Sequence, residues 1–224
     1  MYHSQHEIEK YLEKFFNKPG FFLEIGCWDG ELISQTAWLE RERGWIGVCV
    51  DPFARGFEGR GCTVVRKAIV SPSPCPSDIP LPQGERGGRE FVKVSVDRRD
   101  GGDVSYFSGF RDAIAVHWDL ISQFCDYEIV EVETITLEEL WREYELPAHV
   151  DFLSVDTEGS ELEIFESIDF DKWHFGLIVY EHNGDQFAKE RIGELLRRAG
   201  YVCVEELRVD DVWVESRKWR VENE

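Results

Sequence analysis

The sequence has no closely spaced pair of cysteines. Its six cysteines contain no C-x-x-C motif, which argues against both a zinc site and a redox dithiol. Several of them lie in apolar runs such as GVCV and YVCV, so we interpret them as small buried side chains in a reducing compartment. The six are Cys27, Cys49, Cys62, Cys75, Cys125 and Cys203.

Basic residues are also scarce, with 25 Lys and Arg against 45 Asp and Glu and a formal net charge of -20. A field of this sign repels phosphate backbones, so we expect no nucleic-acid partner. One basic group could still face a small phosphorylated ligand, although scattered solvated charges are the favoured interpretation. This group comprises Arg55, Arg60, Arg66 and Lys67.

No apolar run is long enough to cross a bilayer, and the N-terminal MYHSQHEIEKYLEKFF has no apolar signal-peptide core. We therefore expect a cytoplasmic protein without a membrane partner. The 224 residues, 42% of them hydrophobic, are enough for a single domain, 1–224, around one core.

Short apolar runs that read as strands alternate with amphipathic helical segments along most of the chain. This alternation predicts an α/β fold, a mostly parallel sheet with helices on both faces, closed by an antiparallel hairpin of residues 201–204 and 212–215. The predicted strands cover 21–26, 45–51, 63–70, 150–155 and 174–180; the predicted helices cover 5–17, 32–44, 136–147, a segment from 160 onward, and 186–199.

Residues 71–134 read as an inserted lobe that recognises the substrate. The segment 71–88 is rich in proline and glycine and predicts a surface excursion. Strand-like 91–96 and 129–134 flank a helical stretch near 113–124. His117 in this stretch could touch substrate, but packing on the core is the favoured interpretation.

The segment Glu24-Ile25-Gly26-Cys27-Trp28-Asp29-Gly30 spans the end of the first predicted strand and the glycine turn that follows it. It lacks the G-x-G-x-x-G of a dinucleotide site, and its acids would repel a pyrophosphate. They would instead attract a ligand with a sulfonium and an ammonium group, as in S-adenosylmethionine. The predicted cofactor-binding residues in this segment are Glu24, Gly26, Cys27, Asp29 and Gly30.

The second predicted strand ends at Asp51, where a carboxylate can accept hydrogen bonds from both hydroxyls of a ribose. The alternative is a simple turn acid before Pro52, which we include among the cofactor-binding candidates. Ala68 and Ile69, at the end of the third predicted strand, could flank an adenine ring, although core packing explains them equally well.

Further acids follow the strands that end at Val155 and Tyr180. Asp156 or Glu158 could orient or deprotonate an acceptor hydroxyl, and His182 is a candidate general base. A divalent cation held by Asp156 and Glu158 with Glu181 or His182 remains an alternative, as does a helix-capping role for Glu158.

Three stretches resemble the FkbM family of S-adenosylmethionine-dependent methyltransferases: FLEIGCWDGELISQTAWLERERGWIGVCVDP, TITLEELWREYELPAHVDFLSVDTEGSELEIFESIDF, and IVYEHN with the closing DDVWV. The resemblance implies a class I methyltransferase fold, Rossmann-like with seven strands, and O-methylation of a hydroxyl on a small molecule or sugar. It implies cofactor contacts at Glu24, Gly26, Asp29, Gly30 and Asp51, and an acceptor side at Asp156, Glu158, Glu181 and His182.

Two other functions remain open on the sequence. One is a catalytically silent module that binds S-adenosylmethionine, since a fold does not secure an activity. The other is an NAD-dependent oxidoreductase, which the missing G-x-G-x-x-G disfavours.

Overall fold

The computed structural model describes residues 8–32, 34–72, 89–114 and 117–217. The helices in this part of the chain are α1 (Glu9–Phe15), α2 (Ala37–Arg43), α3 (Trp118–Phe124), α4 (Leu137–Glu143), α5 (Glu161–Ser167) and α6 (Gln186–Arg198). The strands are β1 (Phe21–Ile25), β2 (Ile46–Val50), β3 (Thr63–Val65), β4 (Ala68–Ile69), β5 (Glu90–Asp97), β6 (Gly109–Phe110), β7 (Cys125–Glu131), β8 (Thr134–Ile135), β9 (His149–Val155), β10 (His174–Glu181), β11 (Tyr201–Glu206) and β12 (Asp210–Glu215).

Seven strands form one sheet in the order β11-β12-β10-β9-β1-β2-β3. Within this sheet, β3, β2, β1, β9 and β10 are parallel to one another. β12 runs antiparallel to both of its neighbours, β10 and β11. The predicted α/β fold with a mostly parallel sheet and a terminal hairpin is therefore confirmed. The last strand of the chain lies between β10 and β11.

Helices cover both faces of this sheet. Alternate residues of each strand point to opposite sides, so each face carries apolar side chains that a helix can bury. Leu23 of β1 and Leu153 of β9 belong to an apolar cluster that includes buried residues of α4, α5 and α6. Phe22 and Phe152 belong to a second cluster with residues of α1 and α2. Packing in the two clusters holds the strands in position, and therefore also the residues that directly follow each strand.

The predicted third strand, 63–70, is two short strands in different sheets, so this prediction was wrong. β3 ends the main sheet, whereas β4 leaves it and pairs with β8 in parallel. Arg66 and Lys67 separate the two, and Lys67 pairs with Glu143 of α4 at 3.5 Å. Ala68 and Ile69 thereby stay buried beside the main sheet.

Residues 90–131 include a three-stranded antiparallel sheet, β6-β5-β7, packed with α3 around its own apolar cluster. The helix here begins at Trp118, later than the sequence suggested, and the strand expected at 129–134 begins at Cys125 as β7. The surface excursion predicted at 71–88 lies, from residue 73 on, outside the described residues.

Within the described ranges, no helix combines the length and the apolar character that crossing a membrane requires.

Candidate functional site

A cavity of about 880 Å³ lies at the carboxyl ends of the central strands, roofed by the three-stranded sheet. This is where parallel α/β sheets bind ligands. Ten of the candidate cofactor, catalytic and metal-ligating residues line it: Glu24, Gly26, Cys27, Asp51, Pro52, Ala68, Ile69, Asp156, Glu158 and Glu181. Cofactor and acceptor candidates therefore share one volume.

Glu24 is buried at 4% exposure, and its carboxylate organises the loop that follows the glycine turn. It accepts hydrogen bonds from the Gln35 amide at 3.0 Å and from the hydroxyls of Ser34 and Thr36. Burial raises the pKa of Glu24, and these hydrogen bonds partly oppose the rise. The side chain that the sequence assigned to the cofactor thus shapes the loop beside the cavity.

Arg60 braces the same loop with a fully buried side chain. Its guanidinium donates to Glu40 at 2.9 Å, to the Gly30 carbonyl at 2.6 Å and to the Thr36 hydroxyl at 2.9 Å. Arg60 is neither a solvated charge nor part of a phosphate site, so both sequence-based interpretations were wrong for it. Only the contact between distant segments reveals this role.

Asp29 and Gly30 do not line the cavity, in contrast to what the family resemblance implied. Asp29 Oδ1 accepts from the amides of Glu31 and Leu32, and Oδ2 lies 3.3 Å from the Arg55 guanidinium. The Gly30 amide donates to the Arg55 carbonyl at 2.8 Å. The two residues join the glycine turn to the segment after β2, and their polar groups are used there.

Asp51 lines the cavity directly after β2. Its two oxygens accept from the amides of Trp28 at 3.1 Å and Phe53 at 2.7 Å. Burial, together with the nearby charge of Glu24, raises the pKa of Asp51 to about 6. Two bonds leave further lone pairs on this carboxylate, so it can accept hydroxyl hydrogen bonds from a ligand.

Asp156, Glu158 and Glu181 converge at the other end of the cavity. One oxygen from each lies within 4.8 Å of the others. Burial and the charges of Glu181 and Glu158 raise the pKa of Asp156 well above its usual range, and burial and the charge of Glu158 raise the pKa of Glu181 to about 7. Burial and mutual repulsion therefore favour the protonated form of both Asp156 and Glu181.

The loop carrying Asp156 and Glu158 is held by Glu161, the first residue of α5. The Glu161 carboxylate accepts from the Thr157 amide at 2.7 Å and the Gly159 amide at 3.0 Å. No hydrogen bond caps α5 through the side chain of its N-cap residue, Ser160. Glu158 bonds to Asn183 instead, so the alternative in which Glu158 caps this helix was wrong.

A family model described as the methyltransferase FkbM domain matches residues 29–203. The chain belongs to the FkbM methyltransferase family. The match starts after β1 and includes Asp51, Asp156, Glu158 and Glu181. No curated protein and no solved structure matches the chain.

His182, the candidate general base, does not line the cavity of this FkbM methyltransferase, so the structure does not bring it together with the three carboxylates. It follows Glu181 in the chain, and successive side chains of an extended segment point to opposite faces. Its ring is buried at 7% exposure, with Nδ1 accepting from the Gly184 amide and Nε2 lying 3.8 Å from Asp211 Oδ1. Burial lowers the pKa of His182.

An aromatic wall, which the sequence did not indicate, faces the acidic end of the FkbM cavity. It consists of Trp28, Tyr106 and Phe107, all of which line the cavity. Trp28 donates from its indole nitrogen to the Ser105 hydroxyl at 2.9 Å and packs edge-on against Tyr106 at 5.6 Å between ring centroids. The glycine turn and the segment between β5 and β6 thus supply one side of the site.

Proposed function

We propose that this FkbM methyltransferase uses S-adenosylmethionine and methylates a hydroxyl oxygen of a small molecule or sugar. The observation that carries the proposal is the single cavity with Asp51 at one end and three carboxylates at the other. The strand order, with β12 inserted antiparallel beside β10, agrees with a class I, Rossmann-like methyltransferase fold.

The residues present fit the cofactor. Asp51 can accept from the ribose hydroxyls, and Ala68 and Ile69 offer apolar surface for adenine. The carboxylates toward β9 and β10 complement a sulfonium and an ammonium group electrostatically. S-adenosylmethionine, when bound, supplies a methyl group on a positively charged sulfur.

The acidic group at the ends of β9 and β10 orients the acceptor and removes its proton. A carboxylate within hydrogen-bond reach of a hydroxyl can take up its proton during the transfer, and the three carboxylates lie close enough together to share one acceptor. The same three carboxylates are suitable oxygen ligands for a divalent cation such as Mg²⁺, which would orient a hydroxyl in the same place.

Residues 71–134 supply the recognition of the acceptor in this proposal, since Tyr106, Phe107 and Phe110 line the cavity opposite the strand ends. Aromatic faces beside carboxylates suit a ring that carries hydroxyl groups. The five described cysteines are all free thiols, which favours a cytoplasmic location.

Calorimetric titration of S-adenosylmethionine into the wild type and Asp51→Asn tests the cofactor assignment. We expect binding by the wild type and an affinity about 10- to 100-fold lower in the variant, because a charge-assisted acceptor is lost. Glu58→Gln, at an exposed position after β2, is the control and should bind as the wild type. The absence of binding by the wild type, in chelator and in magnesium alike, would contradict the proposal.

Release of S-adenosylhomocysteine with a panel of methyl glycosides and phenols tests turnover. Turnover in the presence of chelator would show that the reaction needs no divalent cation. Turnover that occurs only when magnesium is added would assign a divalent cation to the three carboxylates. Cofactor binding without turnover of any acceptor favours the silent binding module.

A further inference from the structure

His117 of the antiparallel lobe reaches the loop that carries Glu158. The histidine is the N-cap residue of α3, and its Nε2 lies 2.9 Å from Glu158 Oε2. Both side chains are largely buried, at 19% and 12% exposure. The contact joins two segments distant in sequence at the acceptor end of the cavity.

We propose that His117 is a positioning residue for Glu158, and that Glu158 is the group that accepts the proton of the acceptor hydroxyl. The inference deepens the function proposed above and rests on it. It singles out one carboxylate among the three, and it gives the lobe a part in the reaction besides recognition.

Two side chains from different elements contact one oxygen of Glu158, one through an ion pair and one through a hydrogen bond. His117 approaches Oε2 from the lobe, and Asn183 Nδ2 donates to the same oxygen at 3.2 Å from beyond β10. Among the described residues, none is hydrogen-bonded to Oε1. Because Glu158 lines the cavity, the geometry leaves Oε1 available to an acceptor.

The position of the His117 ring is itself fixed. It packs on Phe107, with the ring centroids 4.8 Å apart and the planes at 36°. Phe107 lines the cavity, so the aromatic wall and the positioning histidine form one layer. An acceptor that contacts this wall would lie beside the carboxylate that His117 holds.

The charges around His117 favour its protonated form. The hydrogen bond with Glu158 and the charges of Glu158, Glu181 and Glu161 raise the pKa of His117, against the opposing effect of burial. Tyr106, whose own pKa is raised by burial and by Glu158, is the remaining titratable group at this end of the wall. In the part of the chain that the structure describes, no lysine or arginine pairs with the three cavity carboxylates, so His117 is the basic partner there.

The proton balance of the transfer is simple. The acceptor hydroxyl gives its proton to Glu158 Oε1 while its oxygen lone pair forms the bond to the methyl carbon. The electron pair of the broken carbon–sulfur bond stays on sulfur, whose positive charge disappears. Glu158 returns to its starting state by releasing the proton to water.

The first test is the pKa of the His117 imidazole in the cofactor-free protein, measured from ¹H–¹⁵N spectra of the ring across pH. His117→Gln assigns the resonance by its absence. We expect a value above 6.5 in the wild type that falls in Glu158→Gln and is unchanged in Glu166→Gln, an exposed position on α5. A value that does not respond to Glu158→Gln overturns the pairing, whether or not S-adenosylmethionine binds.

The second test separates positioning from packing by two substitutions. His117→Phe keeps an aromatic ring against Phe107 but has no donor, and we expect kcat on a responsive panel acceptor to fall about 10- to 100-fold while the affinity for S-adenosylmethionine stays unchanged. His117→Gln keeps a donor and should recover most of kcat. In the wild type, loss of the His117 proton should lower kcat at alkaline pH, and this decrease should be absent in His117→Gln. Equal losses in the two variants would show that His117 only packs.

Loss of cofactor binding in the wild type would instead contradict the proposed function. The imidazole titration distinguishes the two failures, because it needs neither cofactor nor acceptor.

Discussion

Gly26 and Asp156 lie so close that no side chain fits between the strands at this point: a Cβ on Gly26 would stand 1.5 Å from the Asp156 carbonyl oxygen. Gly26 also has a φ of +85°, in the region that disfavours residues with a Cβ. The close approach brings the glycine turn after β1 and the acidic loop after β9 into one site.

We expect Gly26→Ala to fail to fold or to lose more than about 3 kcal/mol, because both the contact and the backbone conformation must change. Gly44→Ala is the matched control. Gly44 also has a positive φ, +66°, but a Cβ there would have nothing within 4 Å, so its cost should be about 1 kcal/mol. Chemical denaturation of both variants measures the difference, and similar losses would refute the steric argument.

Arg60→Met should lower the free energy of unfolding by about 3 kcal/mol, because it leaves Glu40 and the Gly30 carbonyl without their buried donor. Arg41→Met, which removes an exposed ion pair with Glu31, should cost less than about 1 kcal/mol. Thermal and urea unfolding compare the two. A loss no larger in Arg60→Met than in the control would mean that Arg60 does not brace the loop.

The affinity for S-adenosylmethionine should fall as the pH drops below about 6, the value to which burial raises the pKa of Asp51. The protonated carboxyl loses its charge and accepts hydroxyl hydrogen bonds more weakly, whereas above this pH the stronger acceptor is present. Calorimetry at several pH values checks the wild type against Asp51→Asn, in which the part of the pH dependence due to this residue should vanish.

The raised pKa of Glu181 should make the stability of the protein depend on pH. The pKa of Glu181 rises from 4.5 to about 7 on folding, so the native state binds more protons between these values. The contribution of Glu181 to the free energy of unfolding therefore decreases as the pH rises from about 4.5 to about 7.

Glu181→Gln removes this contribution. Its stability relative to the wild type should increase by about 1 to 3 kcal/mol across that pH range. Glu190→Gln, at an exposed position on α6, should show no such trend. Urea unfolding at several pH values makes the comparison, and parallel curves for all three proteins would contradict the raised pKa of Glu181.

Much of the frame of the site follows from the sequence. Short apolar runs predicted β1, β2, β9 and β10. Because parallel strands end at the same edge of a sheet, Asp51, Asp156 and Glu181 were expected at one edge. The helix predicted over 136–147 is present as α4, and a capping box of Thr136 and Glu139 begins it. These features depend on local pattern and on general rules of chain topology.

Only the tertiary structure decided which side chains reach the cavity. Pattern alone could not distinguish His182, which faces Asp211, from His117, which the lobe places 2.9 Å from Glu158. It likewise assigned Arg60 to the solvent, whereas its partners come from α2 and from the loop before it. The reason is physical: local spacing sets the direction of a side chain along its own element, but its partners depend on contacts between segments far apart in the chain.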